Sequence, residues 1–153
     1  MRIAIGTDHR GFAIRARVIE LVEQLGHEVE DVGTFSGEPV DYPDIAAEVA
    51  EKVGRGTADR GILVCGTGLG MCIAANKVPG AYAALCADAY SADRARKSNN
   101  ANIMTLGAQV IGSELAKTLV TIWMGSEYTP GGRSAAKVQR ICDYEKERLA
   151  KGK

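Results

Sequence analysis

Gly61-Ile62-Leu63-Val64-Cys65-Gly66-Thr67-Gly68-Leu69-Gly70-Met71-Cys72-Ile73-Ala74-Ala75-Asn76 is the stretch that decides the fold. An apolar run, three glycines at alternate positions and an alanine-rich segment predict strand, tight loop and helix in that order. Cys65 ends the strand and Thr67 sits in the loop, so a thiol and a hydroxyl face the amides at the helix entrance. The first turn of a helix carries unpaired N–H groups and a partial positive charge, and glycines let an anion approach the main chain closely. An oxyanion formed there is stabilised, and the same field favours the thiolate of Cys65, making it a base or a nucleophile.

Working outward, short apolar segments near 2–6, 28–32, 61–65, 81–86 and 102–106 alternate with helical patterns near 11–25, 43–54, 69–77, 88–98 and 112–125. This rhythm predicts an α/β fold: a five-stranded parallel sheet with helices on both faces. Ile14, Val18, Leu21 and Leu25, like Leu115, Leu119 and Trp123, recur at helical spacing and are assigned to the core. Asp41-Tyr42-Pro43-Asp44 reads as a helix start with a capping carboxylate and an early proline. After Pro130-Gly131-Gly132 a sixth helix runs from Arg133 to about Leu149 with no strand behind it, which suits packing on another subunit.

Open parallel sheets bind ligands beyond the carboxyl ends of their strands. The residues placed there are Thr7-Asp8-His9-Arg10 after the first strand, Cys65-Gly66-Thr67 after the third, Asp88 after the fourth and Gly107 after the fifth. A carboxylate, an imidazole, a thiol and a hydroxyl thus meet at one edge.

Composition narrows the classes of function. The 153 residues fit a single domain, residues 1–153, and a hydrophobic content of 46% supports a full core without metal or disulfide staples. Lysine plus arginine equals aspartate plus glutamate at 19 each, so no basic face for nucleic acid is expected. Cys65, Cys72, Cys86 and Cys142 show neither CxxC spacing nor a histidine cluster, which argues against a metal site and for reduced thiols in the cytoplasm. No segment reads as a signal peptide or a membrane span.

Each signal has a plainer reading. The glycine loop resembles a dinucleotide fingerprint, but it reads G-x-G-x-G, places Met71 where the third glycine belongs, and follows the third strand. A cysteine phosphatase needs Cys-x5-Arg, and that position is also Met71. Cys72, Cys86 and Cys142 are assigned to packing, and His27 to a solvated loop. Arg133, Lys137 and Arg140 fall on one helical face, where a solvated basic surface competes with anion binding. A non-catalytic anion or nucleotide sensor remains the rival of another class, but a sulfur at the loop's mouth favours an enzyme.

Cys65-Gly66-Thr67-Gly68-Leu69-Gly70, with Asp8-His9, Asp41-Tyr42-Pro43-Asp44, Ala74-Ala75-Asn76-Lys77-Val78-Pro79-Gly80 and Gly131-Gly132-Arg133, resembles the type B ribose-5-phosphate isomerase family, which includes galactose-6-phosphate isomerase subunits. The resemblance implies a Rossmann-like three-layer sandwich forming homodimers or tetramers, with the active site at the subunit interface and no metal or organic cofactor. It implies interconversion of an aldose phosphate and its ketose through a cis-enediolate. Cys65 then matches the base, Thr67 the hydroxyl that shuttles protons between substrate oxygens, and the amides of Gly66, Gly68 and Gly70 the oxyanion loop. Asp8 corresponds to a sugar-hydroxyl contact, His9, Arg133 and Lys137 to phosphate contacts, Asn99 to a contact with substrate oxygens, and Tyr42 to a pocket wall.

The chain departs from that pattern at Ser98-Asn99-Asn100-Ala101-Asn102, where many members carry a histidine at the position of Ser98 that opens the furanose ring. A second family histidine is Ser134 here, and two common phosphate-contacting arginines are Gln109 and Lys137. A pentose 5-phosphate closes its ring through the 4-hydroxyl and gains roughly 10²- to 10⁴-fold from acid and base help in opening. A tetrose 4-phosphate cannot close that ring, because its 4-oxygen carries the phosphate. Ribose 5-phosphate is the family substrate, and erythrose 4-phosphate is the competing expectation for a chain with Ser98.

Overall fold

A computed structural model describes residues 1–152. Across them run β1 (Arg2–Thr7), α1 (Phe12–Gln24), β2 (Glu28–Gly33), α2 (Tyr42–Gly54), β3 (Arg60–Cys65), α3 (Leu69–Ala75), β4 (Ala83–Leu85), α4 (Ala89–Lys97), β5 (Ile103–Gly107), α5 (Ser113–Gly125) and α6 (Ala135–Ala150). The strands form one sheet in the order β2-β1-β3-β5-β4, parallel at every pairing. The five-stranded Rossmann-like sandwich expected from the sequence is therefore what the chain adopts.

Side chains alternate across a strand, and each face of the sheet has its own core. Ile3, Ile5, Ile62, Val64, Met104 and Leu106 pack with Val18 and Val22 of α1, Ala92 of α4, and Leu119 and Trp123 of α5. Ala4, Leu63, Cys65 and Ile103 pack on the other side with Val49 and Ala50 of α2 and Met71 and Ala75 of α3. Cys65 shares its parity with Leu63, so its sulfur emerges on the face covered by α2 and α3, at the strand's carboxyl end.

Strand β4 is shorter than the apolar pattern over 81–86 predicts, because asparagine side chains take the flanking backbone. Asn102 accepts the Tyr82 N–H at 2.7 Å and donates to the Gly80 carbonyl at 2.8 Å. Asn76 accepts the Ala83 N–H and donates to the Ala83 carbonyl, both at 2.9 Å. Asn102 thus takes the backbone just before the strand, while Asn76 occupies the outer edge of β4 at Ala83, where no further strand pairs.

Arg60 fastens the end of α5 from beneath. The residue is 4% exposed. It donates to the carbonyls of Trp123 and Met124 at 3.2 Å each, to that of Ser126 at 3.4 Å, and to Glu127 at 2.6 Å. Helix carbonyls left over at a C-terminus thereby gain a charged donor, and the segment leading to Arg133 is held in place.

Several local expectations are corrected. Leu25 and Leu115, assigned to the core by their spacing, are exposed. The last helix starts at Ala135, so Arg133 belongs to the preceding turn rather than to one helical face with Lys137 and Arg140. Asp41 occupies the cap position of α2, but its side chain makes no capping bond. His27 is half-buried with its Nδ1 enclosed. Burial, with the N-terminal ammonium and Arg60 nearby, holds the pKa of His27 below the usual imidazole value. No helix of the described residues is long and apolar enough to cross a membrane.

Removing the guanidinium with Arg60→Met leaves several buried carbonyls unpaired. Urea unfolding should show a loss of about 3 kcal/mol or more, the scale of breaking a buried charged network.

Candidate active site

The turn from β3 into α3 is shaped by main-chain crowding. Gly68 has φ of 78°, a left-handed conformation, and a Cβ there would lie 2.9 Å from the Leu106 backbone. Only glycine meets both demands. The turn aims the Gly68 N–H at Cys65 Sγ, 3.1 Å away, and lets Thr67 Oγ1 accept the Leu69 N–H at 3.3 Å. The positive end of an amide dipole thus points at the sulfur of Cys65, a residue that is 5% exposed and borders a cleft of about 370 Å³.

That cleft is lined by Asp8, His9, Arg10, Tyr42, Cys65, Gly66, Thr67, Gly70 and Gln109. The structure therefore gathers seven of the residues singled out from the sequence, contributed by three segments. Asp8 is 3% exposed, and its Oδ1 accepts the N–H groups of Arg10 and Gly11 at 2.9 Å each. Its carboxylate thus shapes the turn after β1. His9 Nδ1 accepts the Val40 N–H at 3.3 Å. A neutral imidazole so held carries its proton on Nε2, which leaves that nitrogen as the donor for a ligand. Tyr42 lies against Gly70, where a Cβ would fall 2.5 Å from the phenol ring.

Other residues singled out from the sequence lie elsewhere on the chain. Ser98 and Arg133 line a larger cleft, about 600 Å³, together with Tyr90, Arg94, Tyr128 and Ser134. Asn99 lines a third, about 240 Å³, beside Asn76, Tyr82 and Cys142. Lys137, on α6, borders none of these. Gly68 stands behind Cys65, with its amide turned to the sulfur.

Sequence reasoning did not single out Arg94, whose Nε and Nη2 donate to Ser98 Oγ at 2.8 and 2.7 Å. It also left Arg10 and Gln109 without a joint role, although Arg10 Nη1 donates to Gln109 Oε1 at 3.3 Å in the Cys65 cleft. The available signal was position, since Arg10 follows His9 at the end of a strand. Asp88 proves to be a helix cap, accepting from Ser91 N at 2.8 Å and Ser91 Oγ at 2.6 Å.

The remaining thiols fit packing. Cys86 is buried, and its pKa is pushed up to about 12 by that burial, with Asp88 and Cys72 adding to it. It stays a neutral thiol in ordinary conditions. Arg140 is occupied by Glu147 at 2.8 Å and by the ring of Tyr144, 3.9 Å from its centroid.

Comparison with known proteins identifies the family. Residues 3–141 match the family described as Ribose/Galactose Isomerase. The chain is 51% identical to ribose-5-P isomerase B of Listeria innocua over 90% of its own length and 93% of that protein. It is 48% identical to D-erythrulose-4-phosphate isomerase of Pectobacterium atrosepticum, over 95% of each chain. The solved structure of Clostridium thermocellum ribose-5-phosphate isomerase B superposes with a TM-score of 0.92 at 47% identity, covering 96% of this chain and 99% of that one. With that much of its length matched in sequence and in backbone, and with Cys65, Thr67 and Asp8-His9 drawn into one cleft, the chain belongs to the ribose/galactose isomerase family.

Proposed function

We propose that the chain, acting as one sugar-phosphate isomerase domain, interconverts a short aldose phosphate and its ketose with Cys65 as the base. The observation that carries this reading is the Gly68 N–H directed at a sulfur that opens on a cleft shared with Asp8, His9 and Thr67. The thiolate takes the proton from the carbon beside the aldehyde: a C–H bond breaks, an S–H bond forms, and the electron pair moves into a cis-enediolate. Thr67 passes a proton between the two adjacent oxygens, and Cys65 returns its proton to the neighbouring carbon, giving the ketose. No co-reactant is needed. Gly66 and Gly70 provide the main-chain dipoles facing the enediolate, and Asp8 and Tyr42 hold and bound the sugar.

The partner in this reading is a second copy of the chain. Ser98, Asn99, Arg133 and Lys137 do not border the Cys65 cleft of their own chain, so a site that uses both groups takes them from two subunits. Exposed apolar side chains suit such a contact, among them Leu69, Ile73 at 63% exposure, Ile141 and Tyr144. Helix α6 buries only Val138 in its own chain.

A specific contact bears on chain length. Ser98 Oγ accepts two bonds from the Arg94 guanidinium, a group that stays protonated at any ordinary pH. Neither residue is a base near neutrality, so this position offers no help in opening a furanose. That favours the four-carbon substrate, which has no such ring to open. Relatives of both kinds, acting on ribose 5-phosphate and on D-erythrulose 4-phosphate by name, stand at comparable identity.

Cys65→Ala should abolish exchange of solvent deuterium into the substrate, read by NMR, while calorimetry still finds the sugar phosphate bound; surviving exchange would assign the base elsewhere. Equal mixing of Cys65→Ala and Arg133→Ala chains should restore about a quarter of native activity, since half of random dimers then hold one intact site. No recovery would mean that each chain completes its own site. Ser98→His should raise kcat/KM on ribose 5-phosphate by about tenfold or more and change erythrose 4-phosphate little, the range expected of one added acid/base group.

A further inference from the structure

Arg10 is the one permanently charged cation lining the Cys65 cleft among the described residues. Its side chain is exposed, and its Nη1 rests on the neutral oxygen of Gln109, 3.3 Å away. Ion pairing does not neutralise it among the described residues. Asp8, the only carboxylate lining the cleft among the described residues, directs Oδ1 to the Arg10 and Gly11 amides rather than to the guanidinium. Gln109 is itself fixed, since its N–H donates to the Gly66 carbonyl at 2.9 Å, and a Cβ at Gly66 would fall 2.8 Å from Gln109 Oε1 and 3.0 Å from Arg10 Cδ. Glutamine and glycine thus hold an unpaired guanidinium beside the catalytic loop. His9, with Nε2 as its free donor, is the adjacent residue.

We propose that Arg10 is a phosphate-binding, length-determining residue of this chain, gripping the substrate's phosphate from within the Cys65 cleft while Gln109 aims the guanidinium. The inference rests on the isomerase reading above only for what the phosphate is attached to. A planar guanidinium offers a phosphate two parallel charge-assisted bonds, with the imidazole N–H of His9 as a third donor. Arg10 and Cys65 share one cleft, so the anion is held near the reacting carbons. An anion site in the same cleft as the base suits the shorter substrate, because the phosphate of a tetrose 4-phosphate is one carbon nearer the reacting carbons than that of a pentose 5-phosphate.

The test starts with inorganic phosphate, titrated by calorimetry into the full chain and into Arg10→Gln, a change at an exposed side chain that should leave the melting temperature in place. The expected result is a loss of affinity of about tenfold or more, the weight of a lost charge-assisted contact to an anion. Gln109→Arg added to Arg10→Gln should recover much of that affinity, because the two side chains touch and the new guanidinium enters the same space. With sugars, Arg10→Gln should raise KM for erythrose 4-phosphate several-fold more than for ribose 5-phosphate and alter kcat less than KM.

Unchanged phosphate affinity in Arg10→Gln overturns the proposal, as does a loss that Gln109→Arg fails to recover. An equal KM increase on both sugars removes the role in chain length. Phosphate bound through Arg10 by a chain that isomerises none of the sugars would instead sink the isomerase reading and leave the anion site standing.

Discussion

The loop after β3 lies almost in contact with the end of β5, and most of the site follows from that closeness. A Cβ at Gly107 would fall 2.6 Å from the Thr67 backbone. Backbone bonds close the gap: the Ala108 N–H donates to the Cys65 carbonyl at 2.8 Å and the Gln109 N–H to the Gly66 carbonyl at 2.9 Å. Two chain segments that are more than 40 residues apart are thereby locked in register. The lock turns Gly68 into its left-handed conformation and brings Gln109 over the loop. With Gly68 turned, the amide that points at Cys65 is fixed by the main chain rather than by any adjustable side chain.

The chain also places one residue type in two opposite surroundings. Cys65 and Cys86 are both buried, and both lie near the carboxyl end of a strand. Cys86 meets hydrocarbon and the field of Asp88, which keep its proton on. Cys65 meets an amide donor and the edge of a cleft. Burial alone does not decide the chemistry of a thiol; the nearest dipole and the access of a ligand do.

Much of the site was legible because it is local. Asp8-His9 and Cys65-Gly66-Thr67 are each a few residues at the end of a strand, and the rule that places ligands there requires only the order of the strands. The pairing of Arg94 with Ser98 and of Arg10 with Gln109 was not legible, for different reasons. The first is a choice of rotamer on a helix surface. The second joins residues 99 positions apart, and depends on how closely two loops approach. Strand β4 was overestimated because a run of apolar residues says nothing about asparagine side chains that capture its backbone.

By itself, the sequence determined the parallel α/β architecture, since alternating short apolar runs and amphipathic helices leave few other ways to bury both. It determined the loop chemistry too, because three closely spaced glycines beside a cysteine permit a turn that larger residues forbid. Only the tertiary structure decided which of these groups share a cleft. Side chains far apart in sequence meet through the register of β1, β3 and β5, and that register is set by packing on both faces of the sheet at once. Packing likewise left Ser98, Asn99 and Arg133 outside the cleft of Cys65, a separation that no spacing along the chain encodes.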